Sequence, residues 1–188
     1  MTGFCPEKDI LPLYSKNLRR HAKAAAECAA KISRAHKLDP EKARNAALLH
    51  DFAKALPAEE LDFSRKKYLH GRSFPDFKTE HGFLTAAILS GRYNVRDQQM
   101  LDAIAHHTLG TETENPYLLV LYISDYASHL KKKDTNGIIK LARKSLWQAA
   151  LYTAGKKLIY VIKGEKHLYP EGVGFYNWLR TRCLKYDL

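Results

Sequence analysis

The amino-acid sequence predicts an all-α protein built as a single domain, and three observations lead there. Apolar residues recur mainly at three- and four-residue intervals, the period of a buried helix face, and no pair of alternating segments joined by a hairpin signal stands out before residue 157. Prolines sit where helices begin: Asp39 can cap a helix whose first turn holds Pro40, and Pro116 falls in the first turn of another. The 188 residues, 45% of them hydrophobic, bury one core of ordinary size, and no repeat, low-complexity tract or long linker divides residues 1–188 into two domains.

Taken in order, the elements expected are a helix from Leu13 to His36 and a second from Pro40 to about His50-Asp51. A short helix follows Leu56-Pro57, and residues 65–78, with Gly71 and Pro75, read as a loop. Helices resume at Thr79–Ser90, Asp97–His107, Asn115–Lys131 and Gly137–Ala154. The segment KKLIYVIKGEKHLYPEG then changes character, with β-branched and aromatic residues around Gly164, and suggests a small C-terminal β-hairpin ahead of a last helix from Gly174 to Tyr186.

The formal charge of +11 suits a polyanionic partner, because a clustered positive surface concentrates phosphates. A nucleic acid is not indicated by any motif, and the tract LKKKD at 130–134 lacks the interleaved aromatics of a single-strand platform and reads as a solvated helix end or interhelix loop. Three well-separated cysteines, Cys5, Cys28 and Cys183, form neither a disulfide framework nor a thiolate metal motif, which points to a reducing compartment. No run approaches the roughly 20 apolar residues of a membrane span, and the N-terminal stretch does not read as a secretory peptide. A cytoplasmic protein acting on a small molecule is expected, with no membrane partner and with homodimer formation left open.

The segment that carries chemistry is AALLHDFAK, residues 46–54, an apolar helix stretch ending in an imidazole, a carboxylate and, three residues on, an ammonium. Delivering His50 and Asp51 to an interior leaves a buried charge unless a cation compensates it. Neighbours on a helix diverge by about 100°, so further ligands must come from other helices. His21 in RRHAKAAAECA and Asp125 in LLVLYISDYAS are the candidates, each a polar residue in an apolar helical context. Two imidazoles and two carboxylates suit a divalent iron, manganese, zinc or magnesium better than a soft ion. His36, His70, His129 and His167 read as surface or supporting residues.

At these residues the chain resembles the HD superfamily of metal-dependent phosphohydrolases, whose pattern is H, HD and D on a helical scaffold. A closer resemblance is to the bacterial YqeK-type proteins, symmetrical bis(5'-nucleosyl)-tetraphosphatases that act on diadenosine tetraphosphate. TEHGFLTAA at 79–87 is similar to that family's HG-x-x-x-A element, AIAHHTLG at 103–110 to its AI-x-x-HT-x-G element, and LYISDYA at 121–127 to its ADY element. LDPEKARNAALLHDFAK and the ending IKGEKHLYPEGVGFYN extend the likeness over nearly the whole chain.

The resemblance implies that His21, His50, Asp51 and Asp125 hold the metal, iron first with manganese or magnesium as the alternatives. It also implies that Lys54, His81, His107 and Thr108 line the phosphate site. Asp51, Lys54, His81 and His107 are then the expected catalytic set. Two departures bear on substrate choice: DYASHLKKK replaces an acidic residue, proline and arginine, so that Lys131 stands in for an arginine as substrate ligand, and His106 occupies a position where an aromatic such as Tyr is expected. One metal is favoured over two, because no further carboxylate is available to neutralise a second ion. Two readings compete: another HD enzyme acting on a nucleoside monophosphate or cyclic dinucleotide, and a nucleotide- or RNA-binding regulator with a residual metal site.

Overall fold

The computed structural model describes residues 4–129 and 132–185, and within them every regular element is helical. The elements that build the site are α2 (Lys16–Ala35), α3 (Pro40–Leu49), α4 (Ala58–Tyr68), α5 (Phe77–Arg92) and α6 (Gln98–His106). They are followed by α7 (Pro116–Ser128), α8 (Lys132–Lys144), α9 (Leu146–Lys163) and α10 (Pro170–Lys185), and a single-turn α1 (Pro6–Asp9) precedes them.

Side-chain caps set most of the starts. Ser15, Asp39, Asp76, Asp97, Asn115 and Ser145 each accept a backbone N–H from the first turn of the helix they precede. Such a cap satisfies a donor that the helix itself cannot and contributes about 1 kcal/mol. Ser145 has a second effect. It splits the stretch expected as one helix from Gly137 to Ala154 into α8 and α9, which turn about an extended residue at φ −149°.

Helices α2 and α3 pack against each other, and both bury alanines: Ala22, Ala25, Ala26 and Ala29 in α2, Ala43, Ala46 and Ala47 in α3. Small side chains let the two backbones approach closely, which carries His21 of α2 to the end of α3. Helix α7 lies at the centre of the molecule, with every residue from Tyr117 to Ser124 buried. A helix apolar all round belongs in a core rather than at a surface, and Asp125 follows directly on that buried run.

The expected C-terminal hairpin does not form. Residues 157–163 continue α9, Gly164 closes it, and α10 begins at Pro170, four residues before the helix expected at Gly174. The β-branched residues favour a strand locally, but tertiary placement overrides them. Ala150, Thr153, Ala154, Lys157, Leu158 and Val161 recur at helical spacing on the face turned to the interior, whereas Ile159 and Ile162 are exposed. Likewise α4 reaches Tyr68 and α5 starts at Phe77, so the loop expected at 65–78 is confined to the residues between them. No described helix is long and apolar enough to cross a membrane.

Candidate metal centre

Five side chains from five elements, His21, His50, His81, His107 and Asp125, converge around Asp51. Helix α3 ends at Leu49, and the chain tightens into a 3-10 turn over Phe52–Ala55, so that His50 and Asp51 leave the helical path and both reach the centre. His50 Nε2 lies 3.1 Å from His21 Nε2, 3.4 Å from Asp51 Oδ2 and 3.6 Å from Asp125 Oδ1. His21 Nε2 lies 3.3 Å from Asp125 Oδ1 and 3.7 Å from Asp51 Oδ2. The other oxygen of Asp51 faces a second group: Oδ1 lies 3.1 Å from His81 Nε2 and 3.6 Å from His107 Nε2, and those two nitrogens are 3.1 Å apart. Asp51 thus stands between two trios, each close enough for its ligand atoms to share one ion.

Backbone hydrogen bonds decide where the imidazole protons are. Nδ1 of His50, His81 and His107 lies 2.8, 3.1 and 2.7 Å from the carbonyl oxygens of Ala47, Phe77 and Ile104. A carbonyl only accepts, so Nδ1 carries the hydrogen and Nε2 of a neutral ring is a bare lone pair aimed at the centre. His21 follows by one more step: Ser128 Oγ donates its single hydrogen to Asp125 O at 2.6 Å, so at 2.9 Å it accepts from His21 Nδ1. Bare nitrogens facing each other at 3.1 Å repel unless a cation lies between them. Asp51 Oδ1 is buried and makes no hydrogen bond of acceptable geometry, even with Lys54 Nζ 2.8 Å away. The lone pairs of neutral rings and a buried carboxylate oxygen that Lys54 pairs by charge alone are the donor set of a divalent metal, and the residues present fit one.

The local field points the same way. Burial opposes charge on Asp51, but His50, His107, His81 and Lys54 hold its carboxyl well below the usual range. Asp125 is likewise kept ionised against burial by Lys157 and by His129, His21 and His50. Burial tends to lower the basicity of His50, and the two carboxylates outweigh it and raise it. Burial pushes His107 down to about 4, so it is a neutral imidazole at pH 7. His50 and His107 are also the C-terminal caps of α3 and α6, where the partial negative charge of a helix end favours a cation.

A cavity of about 670 Å³ opens over the cluster, within the range of small-ligand sites. Lys54, Lys78, Lys157 and Lys166 line it together with His81, His107, Thr108 and Asp125. Residues 18–143 match the family model described as HD domain. The chain belongs to the HD domain family. Among relatives, it is 29% identical over 141 residues to a Mycoplasma genitalium protein named probable nicotinate-nucleotide adenylyltransferase/Ap4A hydrolase, covering 71% of this chain and 40% of that one. The chain therefore spans about two fifths of that relative's length. It is 29% identical over 148 residues to the Bacillus subtilis protein named bis(5'-nucleosyl)-tetraphosphatase, symmetrical, covering 75% of this chain and 77% of the other. A crystal structure from Clostridium acetobutylicum, described as a predicted HD superfamily hydrolase involved in NAD metabolism, shares the fold at a TM-score of 0.81 and 23% identity, over 96% of this chain and 99% of that one.

All the HD-pattern residues singled out in the sequence, His21, His50, Asp51 and Asp125, meet at this centre, and Lys54, His81, His107 and Thr108 surround it. Lys131 lies outside the described residues. Sequence reasoning missed Lys157, which reaches from α9 to within 3.4 Å of Asp125 Oδ2 and sits 3.9 Å over the Tyr122 ring. The hairpin expectation hid it, since only a continued helix aims residue 157 inward. Ser128, which fixes the His21 tautomer, carried no signal at all. His129, expected at the surface or in a supporting role, is exposed, and its ring stacks on His21 at 4.4 Å with its Nε2 3.7 Å from Asp125.

Proposed function

We propose that this HD-family chain is a divalent-metal hydrolase that cleaves dinucleoside tetraphosphates, diadenosine tetraphosphate among them, at the central bridge to give two nucleoside diphosphates. The observation that carries this reading is the Asp51-centred cluster beneath a lysine-lined cavity. Two carboxylates there are already matched by the ammonium groups of Lys54 and Lys157. The charge of any bound cation is then left over for the substrate, and a polyphosphate is the anion that uses it. The relatives named for symmetrical tetraphosphate cleavage or Ap4A hydrolysis support the choice of substrate.

His21, His50, Asp51 and Asp125 would hold one cation. His81, His107 and Asp51 Oδ1 would hold a second, in place of the direct phosphate contacts that the sequence suggests for these histidines. The reason is the proton count: with Nδ1 committed to a backbone carbonyl, neutral His107 has no hydrogen on Nε2 to donate to phosphate. When bound, such ions would polarise phosphoryl oxygens and lower the pKa of water toward about 7. Lys54 and Lys157 are placed to bind the charge that develops on the leaving diphosphate, with Thr108 Oγ1 as a further donor at the wall. Asp51 orients both trios at once, so its position sets the geometry of the whole centre. Iron, manganese or magnesium would serve such a nitrogen and oxygen ligand set. A reducing, cytoplasmic setting suits Cys28 and Cys183, which are buried as free thiols.

The test is a substrate screen on purified protein, metal-stripped and then supplied with iron, manganese or magnesium. Turnover of diadenosine tetraphosphate that vanishes on stripping and returns with metal is expected. Preferred turnover of a nucleoside monophosphate or a cyclic dinucleotide would replace the proposed substrate. Metal analysis should find two ions per chain and one after His81→Ala; a single ion unaffected by that change would overturn the second site.

A further inference from the structure

A second cavity, of about 530 Å³, adjoins the one over the cluster; Thr79, Thr108, Leu109 and Tyr169 line both. Its walls are of a different chemistry. The rings of Phe74 and Phe83 stand 5.1 Å apart at 35°, and the His106 ring meets Phe83 edge-on at 4.8 Å. The Arg72 guanidinium lies over both phenyl rings, 4.2 Å from the centroid of Phe83 and 5.0 Å from that of Phe74. Phe74 and Phe83 are only half-buried, and neither belongs to the hydrophobic core or to the shell of side chains packed on it. The rings are therefore not explained by folding. The lysines are segregated too: four line the cluster cavity and none lines this one, whose charged groups are Arg72, Glu112 and Glu171.

We propose that this second cavity is a nucleobase subsite, which takes the purine of one nucleoside half of the substrate while the phosphates lie in the lysine-lined cavity. Every base has a π-face, and flat aromatic or guanidinium surfaces bind it by stacking. The carboxylates of Glu112 and Glu171 at the wall can accept from an exocyclic amino group. Thr108 gives the connection its direction: it follows His107 in the chain, its Oγ1 lies 3.3 Å from His107 Nε2, and it faces both cavities. A nucleotide whose base lies in this aromatic-walled cavity therefore meets the metal centre with its phosphates. His106, which departs from the family's usual aromatic, lines this subsite and not the cluster cavity, so the departure bears on base recognition rather than on catalysis.

The inference rests on the nucleotide reading above, and its test separates the two. ADP and inorganic diphosphate are titrated calorimetrically into manganese-loaded wild type, Phe74→Leu and Arg72→Ala; Arg72 is exposed, so its variant should fold normally. Wild type should bind ADP more tightly than diphosphate. Both variants should weaken ADP by about tenfold or more, the scale of one lost base stack, while diphosphate changes less than twofold. Equal affinity of wild type for the two ligands, or a parallel loss of both in the variants, or no loss of ADP, would overturn the subsite. A base-dependent loss in a protein that does not cleave diadenosine tetraphosphate would retain the subsite and reject the substrate. Cleavage of that substrate with unchanged ADP binding in both variants would do the reverse.

Discussion

Gly82 follows His81 in α5, where that helix crosses α6, and replacing it by alanine sets two physical effects against each other. Helix propensity alone favours alanine over glycine by about 1 kcal/mol. The structure opposes it: a Cβ at residue 82 would stand 2.7 Å from the Ile104 carbonyl oxygen, 2.8 Å from that of Ala105 and 3.2 Å from His107 Nδ1. The first two neighbours are backbone and cannot rotate away, so α5 and α6 must separate by roughly 0.5–1 Å to restore contacts near the van der Waals optimum. Overpacking of this kind costs about 1–3 kcal/mol. Subtracting the propensity gain leaves a net loss of up to about 2 kcal/mol, or a fall in Tm of up to roughly 4–8 °C for a chain of this length. The Ile104 carbonyl that is displaced also holds His107 Nδ1, so His107 and His81 move apart. Misplacement near 1 Å at a reacting centre can lower kcat by about 100-fold. Thermal melts and steady-state kinetics on Gly82→Ala check both parts. A Tm raised by the few degrees that propensity predicts, with normal turnover, would refute the close packing of the two helices at the centre.

Asp51→Ala and His50→Ala should each abolish turnover and metal retention while leaving the far-UV spectrum helical, because a ligand is lost and little core volume goes with it; metal analysis with circular dichroism checks this. With metals chelated, stability should depend on pH through His107, whose pKa falls from 6.5 unfolded to about 4 folded. The unfolded chain binds the proton first, so this contribution is complete above about pH 6.5 and is lost as pH falls toward 4, by roughly 3 kcal/mol at 1.36 kcal/mol per unit. Denaturant titrations should show that slope in the wild type and not in His107→Gln. Lys157→Met keeps the apolar stem and removes the ammonium beside Asp125, and it should lower kcat/KM for polyphosphate substrates about tenfold or more, as loss of a charged hydrogen bond does.

The parts of this molecule legible in the sequence are those fixed by neighbours in the chain. Asp39 with Pro40 marks the start of α3, and Pro116 the start of α7, because capping and proline chemistry act within one turn. The polar interruptions at His21, His50-Asp51 and Asp125 stood out because apolar helix faces surround them. What was not legible depends on partners far away in sequence. The strand-like residues 157–163 remain helical because one face of α9 packs inward, and Lys157 finds Asp125 only as a result. The second trio of Asp51, His81 and His107 needed the crossing of α5 and α6 to be seen, and the tautomers needed the carbonyls of Ala47, Phe77 and Ile104. Three separate signals thus pointed to the HD-pattern residues, and only the packing of the helices assigned their protons.

Hydrolysis of diadenosine tetraphosphate in ¹⁸O-labelled water, with the nucleotides separated and weighed by mass spectrometry at early times, tests the central claim most directly. Attack at the central bridge predicts ADP as the sole nucleotide product, with one labelled oxygen for every two ADP molecules released. ATP and AMP in equal amounts would place the attack off-centre and contradict the account.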